Sequence, residues 1–280
     1  DFNDPDEEMP VTGAKNGLKL ADLRGADYDD ERWEALLDQM TVEEMDNLIA
    51  LGGYQTLEVK SIEKPVTIDC DGPASINNMF AGLSSIGFPA EVVIASTFNL
   101  DLAKEFGRSI GRMADEMNVS GWYAPAMDMH RSAFDGRNFE YYSEDGLLSG
   151  LMGAMSVAGA KEYGIYAYVK HFALNDQQVS QEEMLCTWST EQAIREIYLK
   201  PFELCVKVGE NNAMMSSWNY IGNVWTGGCE ELLTNVLRDE WGFEGMVISD
   251  GFHHTGYMNS DQAIRAGGDI MLKNFDVETN

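Results

Sequence analysis

Met246-Val247-Ile248-Ser249-Asp250-Gly251 reads as a short buried strand that ends on a carboxylate. Val247 and Ile248 are β-branched, and Gly245 and Gly251 punctuate the run at both ends. A strand that stays apolar to its tip and then shows an Asp suits a parallel α/β sheet, whose sites gather at the strand ends. Taken alone, Asp250 reads more simply as a cap on the following loop. The remaining strand ends decide between the two readings.

Working outward, the same rhythm recurs. Strands are expected at Val66–Cys70, Val92–Ala95, Trp122–Met127, Tyr166–Phe172, Ala213–Trp218 and Asp269–Leu272, which with the Asp250 strand makes seven. Helices are expected at Asp30–Gln39, from the capping box Thr41-Val42-Glu43-Glu44 to Gly52, and from Asn99 to Met117. Further helices follow at Leu147–Tyr163, Thr190–Val208 with a bend at Pro201, Glu230–Trp241, and from Ser260. The alternation and the length predict a TIM-like (β/α)8 barrel, irregular or incomplete, over residues 29–280, with an irregular arm or interdomain linker over 1–28. A doubly wound open sheet is the alternative. Asp71, Arg137, Lys170, His171, Asn219 and Asp250 fall at or just beyond the ends of five strands. A barrel gathers all its strand ends round one mouth, whereas an open sheet concentrates them at one crevice.

The chain has 280 residues, 44% of them hydrophobic, and a formal net charge of -28. That charge argues against nucleic acid or an anionic membrane as partner, because phosphate contacts need clustered Lys and Arg. No apolar run is long enough to span a membrane, and nothing separates a cytoplasmic from a secreted protein. The four cysteines are widely spaced, with no CxxC pattern. Adjacent His253 and His254 diverge and lack a third ligand at metal spacing, so no metal is expected. No phosphate-binding glycine loop occurs, so no nucleotide cofactor is expected either.

Lys170-His171 interrupts the apolar strand Tyr168-Val169-Lys170-His171-Phe172. Neighbouring strand residues point to opposite faces, so both cannot enter one core, but at a strand tip both can reach a barrel mouth as donors. A salt-bridged Lys beside a satisfied core His is the plainer reading. Gly136-Arg137-Asn138-Phe139-Glu140-Tyr141-Tyr142-Ser143-Glu144-Asp145 mixes aromatics with paired charges, the chemistry of a sugar-binding cleft. His130-Arg131 is expected to brace that loop.

Several stretches, taken in order, carry a resemblance. They are Asp71-Gly72-Pro73-Ala74, His130-Arg131 with Gly136-Arg137-Asn138-Phe139-Glu140, Ser143-Glu144-Asp145, and Lys170-His171-Phe172-Ala173-Leu174-Asn175-Asp176-Gln177. Arg195 to Glu203, Met215-Ser216-Ser217, and Glu240-Trp241-Gly242-Phe243-Glu244-Gly245 leading into Ser249-Asp250 complete the set. From about Leu36 to Leu272 the chain resembles glycoside hydrolase family 3, the family of many β-glucosidases. The resemblance implies a TIM-barrel-like domain and a retaining, exo-acting β-glycosidase, with β-glucosidase first and β-xylosidase as a relative. It implies Asp250 as the nucleophile, and Asp71, Arg137, Lys170 and His171 as the residues that hold the sugar. It implies a small glycoside as substrate and no cofactor.

The chain departs from the family pattern at four places. Trp218 stands where a Tyr usually bonds the nucleophile, and Tyr220 is a candidate to compensate. Gly251 replaces a frequent Trp, and Asn77 and Gln181 stand where many members carry sugar-binding Arg. The family's acid/base usually belongs to a second, α/β-sandwich domain, which is expected to be a partner absent from this chain. Two readings compete with the enzyme: a non-catalytic sugar-binding barrel, and an unrelated barrel using Lys170 as a Schiff base.

Overall fold

The computed structural model describes residues 9–252 and 256–273. Seven strands form one sheet in which neighbours in space follow the order of the chain. They are β1 Gln55–Thr56, β2 Thr67–Cys70, β3 Gly121–Trp122, β4 Tyr166–Phe172, β5 Ala213–Ser216, β6 Met246–Gly251 and β7 Ile270–Leu272. The first pair is antiparallel and every later pair is parallel. Gly52 and Gly53, just ahead of β1, donate backbone hydrogen bonds to Met271 O at 3.0 Å and Lys273 O at 2.9 Å. The two edges thus meet, and the sheet curls into an irregular, incomplete barrel. Gly52 is needed at that seam, since a Cβ there would collide with the Ile270 side chain.

Two apolar layers flank the sheet. The outer one buries Cys70, Trp122, Val169, Phe172, Met214 and Val247 beneath helices that include Leu100–Glu116, Gly146–Lys161, Lys200–Lys207 and Glu231–Glu240. The small residues of Gly146–Lys161 let that helix lie close to Leu100–Glu116: a Cβ at Gly159 would strike the Lys104 carbonyl. The inner layer fills the barrel with Tyr123, Tyr168, Ala213, Met215, Ile248 and Ile270. At its base the Tyr166 and Tyr168 hydroxyls donate to Asp69 at 2.8 and 3.1 Å. Burial pushes the Asp69 carboxyl up to about 6 against those two bonds.

The strands expected from sequence match the sheet with one exchange. Val92–Ala95 is part of a short helix, Glu91–Ala95, in which Ile94 and Ala95 are buried and Val93 faces out. A run of four apolar residues has no period by which to tell helix from strand. Its place in the sheet is taken by β1, too short and too polar to announce itself. The regular part of β3 stops at Trp122, three residues ahead of Pro125, which has no N–H to donate, yet Ala126 still bridges to Lys170. The long helix widens over Ile194–Tyr198 just ahead of Pro201, where Leu199 N bonds to Ile194 O at 2.8 Å. Two-residue strands also build a hairpin, Asn77–Asn78 with Leu83–Ser84, and a small sheet of Cys186–Thr187, Tyr220–Ile221 and Val224–Trp225.

Candidate active site

Asp71, Arg137, Lys170, His171, Trp218 and Asp250 line one cavity of about 400 Å³ at the C-terminal ends of the strands, whereas Asn219, also expected at a strand end, is buried outside that lining. Asp71 follows β2, Lys170 and His171 lie in β4, Trp218 follows β5, Asp250 lies in β6, and Arg137 comes from the long loop after β3. Tyr54, Phe80, Tyr123, Met215, Phe252 and Lys273 also line it.

The alternation problem at Lys170-His171 is solved by a register shift. Val169 pairs with Met214 and Phe172 with Ser216, so three steps along β4 face two along β5. That irregularity turns both side chains into the cavity. β6 shows the same device, with Ile248 paired to Ile270 and Gly251 to Leu272.

Lys170 Nζ lies 2.9 Å from Asp71 Oδ1 and 4.0 Å from Glu140 Oε2. Burial opposes the ammonium, but Asp71 and Glu140 outweigh it and hold the lysine above its ordinary pKa. An amine so held is protonated at neutral pH, which counts against the Schiff-base reading. Partial desolvation opposes ionisation of Asp71, yet Lys170 holds its carboxyl below the usual value. Arg137 donates through Nε to Glu140 Oε1 at 2.5 Å and through a terminal nitrogen to His171 Nε2 at 2.8 Å. Burial, with Arg137 and Lys170 alongside, pushes His171 well below its ordinary value, so the ring is neutral. The network assigns its proton to Nδ1, which donates to Asp128 Oδ2 at 3.1 Å. Asp128 also accepts from the backbone N–H groups of His171 at 2.9 Å and Asn175 at 3.0 Å.

Asp250 sits inside this ring. Its Oδ1 accepts from Gly251 N at 2.7 Å. Its Oδ2 has no hydrogen-bond partner among the described residues and lies 3.9 Å from His171 Nε2. Burial raises the carboxyl to about 6, opposed chiefly by Arg137, so it is an ionised group at neutral pH. Trp218 lines the cavity, but its Nε1 donates to Gly251 O at 2.8 Å. The indole thus fixes the backbone beside Asp250 rather than the carboxylate. Tyr220 belongs to the small sheet, and Tyr220, Asn77 and Gln181 are outside the cavity lining. His130 braces the loop as expected, its Nε2 lying 2.9 Å from the carbonyls of both Asn138 and Tyr141. His253 and His254 lie outside the described residues.

Reasoning from sequence passed over Asp128 and Glu140 as site residues. Glu140 stood within a quoted motif and Asp128 opened the loop, but only the folded loop shows that they anchor His171, Arg137 and Lys170. It also passed over Tyr54 and Phe80, whose rings meet edge to face at 5.1 Å on one side of the cavity. No spacing links residues that close a site from separate strands.

Residues 39–279 match the family model described as the glycosyl hydrolase family 3 N terminal domain. The chain is 39% identical over 221 residues to β-glucosidase A of Butyrivibrio fibrisolvens, covering 79% of this chain and 26% of that protein. It is 34% identical over 241 residues to a β-glucosidase of Rhizobium radiobacter, covering 85% of this chain and 29% of that one. Among solved structures, β-glucosidase 3B from Thermotoga neapolitana in complex with glucose superposes with a TM-score of 0.79 at 34% identity, over 86% of this chain and 36% of that one. A β-glucosidase from Paenibacillus barengoltzii reaches a TM-score of 0.85 at 29% identity, over 97% of this chain and 31% of that one. The chain spans roughly a quarter to a third of the length of these relatives. With its barrel and its cavity at the strand ends, the chain belongs to glycoside hydrolase family 3, through the N-terminal domain of that family.

Proposed function

We propose that this barrel carries the sugar-binding pocket and the nucleophile of a retaining, exo-acting β-glucosidase. The observation that carries the reading is Asp250: a buried, ionised carboxylate with one oxygen fixed by the Gly251 N–H and the other turned to the cavity without a partner among the described residues. Oδ2 attacks the anomeric carbon, the bond from that carbon to the aglycone oxygen breaks, and a glycosyl ester forms on Asp250. Water then attacks the same carbon and the carboxylate leaves, with net retention. Arg137 and Lys170 favour the ionised form of Asp250, and Arg137, Lys170, His171 and Asp71 offer donors and acceptors to the hydroxyls of one pyranose ring. The glucose held by the Thermotoga neapolitana relative supports glucose as the ring.

The acid/base is assigned to a second domain of the full-length enzyme. The carboxylates among the described lining residues are Asp71 and Asp250. Lys170 holds Asp71 ionised, so it has no proton to give a leaving group. A sugar-binding barrel without catalysis would have no use for an unpartnered carboxylate, which carries a desolvation penalty in a closed site. The test is to incubate the protein with a 2-fluoro β-glucoside bearing an activated leaving group, digest it, and locate the label by mass spectrometry. A label on Asp250 supports the reading; a label on another carboxylate, or none while glucose binds, overturns it.

A further inference from the structure

Behind the cavity lies a second carboxyl group that the reaction above does not use. Glu91 opens the short helix Glu91–Ala95, is 0% exposed, and has no hydrogen-bond partner on another described residue for either carboxyl oxygen. The helix lies against the loop that carries Arg137 and Glu140, with Val92 N 3.5 Å from Phe139 O. Glu140 is 4% exposed, and its Oε2 also lacks a hydrogen-bond partner among the described residues. Two buried carboxyl groups on segments packed against each other, with three oxygens unpartnered by other described residues, are hard to sustain if both are ionised. One proton placed between them turns a repulsion into a strong hydrogen bond.

We propose that Glu91 is a positioning residue of this site: a neutral carboxylic acid that donates to Glu140 Oε2 and so fixes the carboxylate on which Arg137 and Lys170 are oriented. Glu140 then accepts from Arg137 on Oε1 and from Glu91 on Oε2, with Lys170 4.0 Å away. Burial pushes the Glu91 carboxyl up to about 8; its own backbone N–H opposes the rise, the charge of Glu140 adds to it, and Lys170 opposes it more weakly. Tyr142 also feels the charge of Glu91: its hydroxyl lies 3.0 Å from Ser156 Oγ and is held well above its ordinary value by burial and by Glu91. Lys170 is likewise held above its own ordinary value. Raising the pH therefore ionises Glu91 before either neighbour, and places a second negative charge behind Glu140. The Glu140–Arg137–Lys170 arrangement then loses its brace. The consequence for sugar binding rests on the reading of the cavity given above; the protonation state does not.

Two measurements on the full chain test this. In carboxyl-13C NMR of glutamate-labelled protein, one glutamate should titrate near the raised value, and its signal should be missing from Glu91→Gln. If every glutamate of the unaltered chain titrates in the ordinary range for that side chain, the inference is overturned, whether or not the variant folds. Glucose affinity is then followed by calorimetry from about pH 7 to about pH 9.5. The unaltered chain should lose affinity about fivefold or more across that range. Glu91→Gln, which keeps a donor but cannot ionise, should hold its affinity. A loss that persists unchanged in Glu91→Gln, or no loss in the unaltered chain, overturns the positioning role. Failure of the unaltered chain to bind glucose at any pH would instead remove the sugar reading and leave the NMR result to decide on Glu91.

Discussion

Lys170 Nζ lies 2.9 Å from Asp71 Oδ1, and this ion pair ties the end of β4 to the end of β2 across the intervening β3. It explains why a lysine can stand in an otherwise apolar strand. The lysine side chain is 5% exposed and the aspartate side chain 42% exposed. The pair therefore has one buried and one open end, and the open end faces the cavity. Replacing Lys170 by Ala should strip Asp71 of its counter-charge and remove a donor from the sugar. Glucose affinity should fall by about 1.5–3 kcal/mol, the usual worth of a charged hydrogen bond. Calorimetry on Lys170→Ala, Asp71→Asn and the double variant checks this. Clear non-additivity is expected, because the two side chains share one interaction. Lost stability with unchanged glucose affinity would make the pair purely structural.

Asp250 is held at the expense of stability. Its carboxyl is raised from 3.8 to about 6 by burial, and its side chain is 12% exposed. A raised acid contributes its full share to stability only below the unfolded value. That share is lost as pH climbs toward the folded value, and above it the penalty is constant at about 3 kcal/mol for a shift of this size. Asp250→Asn keeps an acceptor for the Gly251 N–H and removes the ionisation. The variant should unfold at a higher temperature than the parent at about pH 7, and the gap should close toward about pH 4. Thermal denaturation across that window reads the effect. A variant less stable at neutral pH would show that the charge is matched by partners after all.

The same elevation sets a kinetic limb. If Asp250 must be ionised to attack, labelling by a 2-fluoro dinitrophenyl β-glucoside should quicken as pH rises through about 6 and then level off. The activated leaving group removes the need for a proton, so this limb belongs to the nucleophile alone. The observed rate against pH, with Asp250→Asn as the inert reference, gives the value directly. A rate flat down to the ordinary carboxylate range would mean that the free carboxyl is not raised.

Much of this was legible in the sequence, for a physical reason that also marks where legibility ends. β4 and β6 are long, apolar runs bounded by turn residues, and both strands lie within one or two residues of their expected limits. Lys170, His171 and Asp250 were conspicuous because a charged or polar group in such a run needs a reason. Asp71 and Arg137 stood out by the resemblance and by their place at strand ends. β1 and the two-residue strands carry no periodicity, so pairing partners far along the chain decide them. Asp128 was illegible for a similar reason. Its three hydrogen bonds go to residues 43 and 47 positions away, and an Asp at a loop start reads as a cap. Trp218 lines the cavity, but which atom its indole bonds was not legible from its place in the family pattern. The indole N–H finds the Gly251 carbonyl, not Asp250.

Asp128 gives a stability prediction that sequence reasoning did not offer. It is buried and accepts from His171 N, His171 Nδ1 and Asn175 N. Asp128→Ala should leave three buried donors unpaired, at about 1–3 kcal/mol each where water cannot reach them. A loss of roughly 3 kcal/mol or more is expected by denaturant titration, with glucose binding weakened because His171 no longer holds Arg137 in place. Asp128→Asn retains one acceptor oxygen and should fall between the two. If Asp128→Ala is as stable as the parent, the buried donors have found other partners and the loop is not anchored here.

The last prediction concerns the proton that the proposed reading assigns to a second domain. A sugar alkoxide is a poor leaving group, and general acid assistance is typically worth about 10²–10⁴-fold. Among the described residues lining the cavity, Asp71 is the one carboxylate besides Asp250, and Lys170 holds it ionised. Lys170 and Arg137 remain fully charged at neutral pH, being held above their ordinary values, and His171 is neutral with its proton committed to Asp128. The chain alone should therefore attack dinitrophenyl β-glucoside slowly and cellobiose hardly at all. Supplying the second domain, in trans or in a full-length enzyme, should raise the rate on cellobiose far more than the rate on the dinitrophenyl substrate. The ratio of the two rates, measured with and without that domain, isolates the acid from the nucleophile, since both substrates share the same glucosyl ring. Comparable high rates on both substrates by the isolated chain would place a general acid within it and defeat the division of labour proposed here.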